Sequence, residues 1–98
     1  MFKDIIIDKL LSIKMNKDIE EFDLLLDHIN INNYITIIEV LIFFQDKYKK
    51  EIYIKLLDIV IPKYPIEYLE NYLKYLNTNS IEYISIENYL LFGNNFLK

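Results

Sequence analysis

The 98-residue sequence has no cysteine, tryptophan, arginine or alanine, and it holds a single glycine, a single histidine and two prolines. Each scarcity excludes something. Without cysteine there is no disulfide framework, no thiolate metal site and no thiol nucleophile. Without arginine the chain lacks the planar fork that grips phosphate and guanine at two points. The formal charge of −4, from 15 acidic and 11 basic residues, also repels a polyanion, so nucleic acid is not the expected partner. The lone His28 cannot build an ordinary His-rich zinc site. With Gly93 as the sole glycine there is no Gly-rich phosphate loop and no nucleophile elbow, and the sequence predicts neither catalysis nor a cofactor. Long apolar runs are missing too. The longest near-apolar one, Ile35 to Phe44, is about half the length of a membrane span and is interrupted by Glu39. The opening MFKDIIIDKLLSIK has Asp4 and Asp8 in its apolar stretch and no small-residue cleavage site, so it does not read as a signal peptide. A cytoplasmic protein without a membrane segment is the expectation.

What is present is apolar bulk. Hydrophobic residues make up 53% of the chain, enough to offset chain entropy and form one domain over 1–98. Ile, Asn, Lys and Tyr dominate, residues with AT-rich codons, which points to a low-GC genome and to nothing functional. Apolar residues recur at helical spacing throughout, which predicts an all-α fold. Ile6, Ile7, Leu10, Leu11 and Ile13 mark the first helix, between Phe2 and Lys14. Asn16 is placed to cap a second, from about Asp18 to Ile29, with Ile19, Phe22, Leu26 and Ile29 as its buried stripe. The most apolar dozen, Tyr34 to Gln45, predicts a central helix covered on several sides, with Thr36, Glu39, Phe43 and Asp46 on its remaining arc. A fourth helix runs from about Lys49 to Ile61. Pro65 suits the first position of a fifth, and Ser80 the cap of a sixth that ends at Gly93 with a fraying tail beyond.

The even-numbered helices begin near Asp18, Lys49 and Ser80, 31 residues apart each time. The same offset aligns Ile6, Ile37 and Tyr68, then Asp8, Glu39 and Glu70, then Glu20, Glu51 and Glu82, and it repeats Leu-Leu-Asp at Asp27 and at Asp58. A fixed period in this range is the mark of stacked helical units. It predicts six helices as three antiparallel hairpins, about 2–30, 33–61 and 65–93, in a HEAT-like α-solenoid. The segments DIEEFDLLLDHI, NNYITIIEVLIFF, KKEIYIKLLDIV and PIEYLENYL, between Asp18 and Gly93, resemble the small HEAT-like proteins of bacteria that act as immunity partners of secreted toxins. That family places histidines before a glutamate at the start of its fourth helix. Here the place reads Tyr48-Lys49-Lys50-Glu51, so only Glu51 matches. The resemblance implies a non-enzymatic inhibitor that binds another protein.

Candidate chemistry is sparse. His28 falls near a helix C-terminus, where a partial positive charge is favoured. Glu20, Asp23 and Asp27 share a face but lack the irregular, Gly-bearing loop of a Ca²⁺ site, and a solvated acidic face is the simpler reading. Lys47, Lys49 and Lys50 form the basic run, at a turn between helices. Tyr68, Tyr72 and Tyr75 follow i, i+4, i+7 and read as core packing with wet hydroxyls. In the solenoid reading Glu20, Glu51 and Glu82 form a row and Asp27 and Asp58 a second row beside it. With Asp23 these make an acidic ridge suited to a basic toxin or effector. Phe43 is an exposed anchor if no neighbour covers it. A structural role through self-association as a homodimer is the alternative.

Overall fold

A computed structural model describes residues 2–28 and 37–96. Among these residues all the regular secondary structure is helical, with no strand: α1 (Phe2–Leu11), α2 (Asn16–Asp27), α3 (Ile37–Phe43), α4 (Lys50–Val60), α5 (Ile66–Tyr72) and α6 (Ile81–Phe96). Short 3-10 turns at Gln45–Lys47, Ile61–Lys63 and Leu73–Tyr75 extend α3, α4 and α5. The expected end of the second helix at Ile29, the asparagines Asn30, Asn32 and Asn33 that punctuate the chain after it, and the expected start of the central helix at Tyr34 to Thr36 lie outside the described residues.

Each helix buries one stripe. Ile6, Leu10 and Ile13 of the first segment, Ile19, Phe22 and Leu26 of α2, and Ile37, Ile38 and Leu41 of α3 are buried in one continuous core. Burial of each such side chain favours the fold by about 1.5–3 kcal/mol. α4 contributes most, with Ile52, Tyr53, Leu56, Leu57 and Val60, and Ile61 and Tyr64 follow it inward. It packs against α2, α3 and α6. Among the described residues the hub is therefore α4, and the more apolar stretch before it is described only from Ile37 onward. α3 presents Ile37, Ile38 and Leu41 inward but leaves Glu39 and Phe43 outside.

The helix ends follow local chemistry, with three departures from the sequence expectation. Asn16 is the first residue of α2 and not its cap. Its side-chain oxygen accepts from Lys55 Nζ at 3.0 Å, and the Asp18 carboxylate instead accepts from the backbone N–H of Lys14 and Met15, at 3.0 and 3.2 Å. Pro65 stands one position earlier than expected, at the N-cap just before α5, without a side-chain capping bond. α6 does not stop at Gly93 but continues to Phe96. Ser80 does cap α6: its Oγ accepts from the Tyr83 N–H at 3.1 Å.

Three buried tyrosines tie distant segments together through their hydroxyls. Tyr48 donates to the Leu10 carbonyl at 2.8 Å, Tyr64 accepts from the Ile38 N–H at 3.1 Å, and Tyr53 donates to Glu82 at 3.0 Å. Tyrosine serves here because its ring adds core volume while its hydroxyl satisfies a polar group that would otherwise be stranded. α2 and α4 run in the same direction, since Lys55 reaches Asn16 at the start of α2 and Lys63 reaches Asp27 at its end. The helices of the even set start 34 and then 31 residues apart.

Candidate functional site

The sequence placed the site on a ridge of acids, and the structure divides those acids into three kinds. Asp23 and Asp27 at the end of α2 both face Lys63, at 3.5 and 2.5 Å, and the lysine pKa is raised chiefly by its bond to Asp27. Half-exposed pairs of this type are worth about 0.2–1 kcal/mol, so their charge is largely matched within the chain. Glu82 is buried, at 7% exposure, and accepts the Tyr53 hydroxyl. It sits in the first turn of α6, where a negative charge is favoured. An exposed row through Glu20, Glu51 and Glu82 is thus not what forms: its third member lies in the core. Glu20, Glu51 and Asp58 remain exposed.

Two of those three share a surface feature. Glu20 and Asp58 line the same shallow depression between α2 and α4, beside Ile19, Ile59 and Lys55. Glu51 lies seven residues before Asp58 on α4, two helical turns along the same stripe. Phe43 is 80% exposed, edge-on to Phe44 with ring centroids 4.9 Å apart. It belongs to α3 and lines neither this depression nor the groove between α4 and α6.

The larger concavity is a groove of about 890 Å³ between α4 and α6. Ile54, Ile61 and Pro62 form one wall and Ile84, Tyr89 and Phe92 the other. Ile84 and Phe92 are 48% and 54% exposed, large apolar residues that the fold leaves half in water. The polar groups in the groove are Asp58, Ser85 and Asn88. Asp58 is the shared element, standing between the groove and the α2/α4 depression. Its pKa is raised from the ordinary carboxylate value because the surrounding surface desolvates it. Among the described residues it has no ion-pair partner: Lys63 is held by Asp23 and Asp27, and Lys55 by Asn16.

Gly93 completes the groove floor. A Cβ there would lie 2.5 Å from the Tyr89 ring, so the glycine lets that ring lie flat across the helix one turn on. The sequence reading missed this groove. The available signal was α6 itself, where Ile81, Ile84, Ile86, Tyr89, Leu90, Leu91 and Phe92 spread around more of the circumference than one core contact can cover.

The remaining candidates are structural. His28 is exposed at the C-terminal cap of α2. The tyrosine stack runs Tyr64–Tyr68–Tyr72, with centroids 5.1 and 5.7 Å apart and rings nearly parallel, whereas Tyr75 is 83% exposed and outside it. Lys47 of the basic run covers the Phe44 ring at 5.1 Å. Among the described residues no group of three or more His, Asp or Glu could hold a metal ion, and no helix is long and apolar enough to cross a membrane. No family model, curated protein or solved structure matches the chain.

Proposed function

We propose that this chain is a non-enzymatic protein-binding module acting in the cytoplasm, an inhibitor of immunity type that masks a basic toxin or effector protein. The observation that carries the reading is the juxtaposition on α4 of unpaired carboxylates with an open apolar groove. Steering by Glu20, Glu51 and Asp58 would bring a basic protein in, and the apolar walls of Ile84 and Phe92 would hold it. Asp23 and Asp27 contribute less to this surface than the sequence suggested, since Lys63 already matches them, and Glu82 contributes nothing directly. The architecture in this reading is a short HEAT-like α-solenoid of three hairpins. Its support is that α4 packs against both α2 and α6, and that α2 and α4 run in the same direction. The repeat is approximate, with even-helix intervals of 34 and 31 residues.

The test is binding of the adjacent gene's product to the wild-type chain and to Glu20→Lys with Glu51→Lys. Loss of affinity with an unchanged helical spectrum supports the acidic face, and unchanged affinity removes it. A second reading, self-association, is favoured by the exposed Ile84, Leu91 and Phe92 of α6. It predicts a mass that rises with concentration in sedimentation equilibrium and falls to the monomer in Phe92→Ser.

A further inference from the structure

We propose that the α4/α6 groove receives an amphipathic helix of the partner protein, whose apolar face carries one lysine or arginine that pairs with Asp58. This rests on the protein-binding reading above and adds the partner's chemistry. The groove follows α6 from Ile81 to Gly93, a length of about 18 Å at the helical rise, room for about three turns of a guest helix laid along it. Both walls are apolar, and Ile84 and Phe92 stay half in water until something covers them. Such a trough takes anchors at i, i+3, i+4 and i+7.

Asp58 fixes the guest's charge. It stands within the wall, four residues after Ile54 and three before Ile61. Any occupant removes more water from a carboxylate that is already partly desolvated and has no ion-pair partner among the described residues. An all-apolar helix would bury that charge unpaired, and an acidic one would repel it, whereas a lysine or arginine on the guest's apolar face answers it. Ser85 and Asn88 line the same groove and offer oxygen acceptors to the remaining N–H groups of that cation. The carboxylate acts as a selection device against wrong guests as well as a contact for the right one. It also disfavours a second copy of this chain. A two-fold contact through this face would cover the Asp58 of each copy with a surface whose lining holds no cation, on chains that each carry −4.

The experiment pans a phage-displayed library of helix-forming peptides on the immobilised full chain and on its Asp58→Asn variant. The wild-type chain is expected to enrich helices with apolar residues at i, i+3, i+4 and i+7 and a lysine or arginine on that face. A synthesised winner should bind Asp58→Asn about ten-fold more weakly or worse. Replacing its basic residue by norleucine should cost a similar factor on the wild-type chain and little on the variant. Ile84→Ser with Phe92→Ser should abolish binding to both. Winners without a basic residue, or winners that bind Asp58→Asn and Ile84→Ser/Phe92→Ser as they bind the wild type, overturn the proposal. If such winners lose affinity only to Glu20→Lys with Glu51→Lys, the protein-binding reading stands and the groove falls. If nothing is enriched, the groove proposal falls, and the protein-binding reading is decided separately by titration of the adjacent gene's product. A concentration-dependent dimer of the free chain that Phe92→Ser abolishes would show the groove covered by a second copy, and also overturns it.

Discussion

Glu82 and Asp58 are both acids on even-numbered helices, and they have opposite roles. Glu82 is committed to the core through the Tyr53 hydroxyl. Tyr53→Phe should therefore leave a buried carboxylate without its donor and cost about 1–3 kcal/mol in denaturant unfolding. Combining Tyr53→Phe with Glu82→Leu should recover most of that loss, since both polar partners are then gone. A strictly additive double-mutant cycle would contradict the bond's role. Asp58 works against stability: its raised pKa means the fold prefers the neutral acid. That preference contributes stability below the unfolded-state pKa, and the contribution is lost as pH rises through the folded value. Asp58→Asn should thus gain over the wild type between pH 4 and pH 7 (about the carboxylate range and neutrality), seen as a widening difference in Tm. A constant difference across that range would show that Asp58 is not desolvated in the folded chain. The sequence could not tell these two acids apart. Their spacing marks both as periodic surface charges, and the groups that separate them, Tyr53 for one and the α6 wall for the other, come from far along the chain.

At the scale of elements, helix existence was legible and helix role was not. Apolar stripes such as Ile19, Phe22 and Leu26 announced α2, and Ser80 announced the start of α6. Gly93 misled, because a glycine after an apolar run usually ends a helix. Here it lies inside α6 to admit the Tyr89 ring. Gly93→Ala should gain helix propensity of about 0.8–1 kcal/mol, offset by displacement of that ring. The expected result is a small net change in stability together with altered Tyr89 fluorescence or ring resonances and weaker occupation of the groove. A clear gain in Tm with an unmoved Tyr89 would contradict the close approach. The most apolar stretch, Tyr34 to Gln45, was expected to be central, and among the described residues α4 takes that place. Hydrophobicity reports how much a helix needs covering, whereas α4 became the hub because it has neighbours on three sides.

For the whole molecule, the buried tyrosines set a pH limit. Burial pushes Tyr48 and Tyr72 up to about 12 and raises Tyr53, Tyr64 and Tyr68 as well, with Glu82 adding to the shift at Tyr53. In the unfolded chain tyrosines ionise near about 10, so unfolding releases protons above that pH. Stability is intact below it and falls as pH rises through the folded values, and Lys63, also raised, acts in the same direction. Helical signal and tyrosinate absorbance should therefore change together in one cooperative alkaline transition. Tyrosinate appearing near its ordinary pKa while the helices persist would refute the burial. The all-helical class and the acidic character were open to sequence reasoning because both are local or compositional. The groove was not, because it is made by two helices whose apolar residues look like core until the fold leaves them uncovered. The central claim is that α4, with Glu20 beside it, presents a binding face for a basic protein. Its most direct test is isothermal titration of the adjacent gene's product against the wild-type chain and against Glu20→Lys with Glu51→Lys. The account predicts stoichiometric binding to the first and a large loss of affinity in the second, with the helical spectrum preserved. Equal affinity for both, or no binding to the wild-type chain, would contradict it.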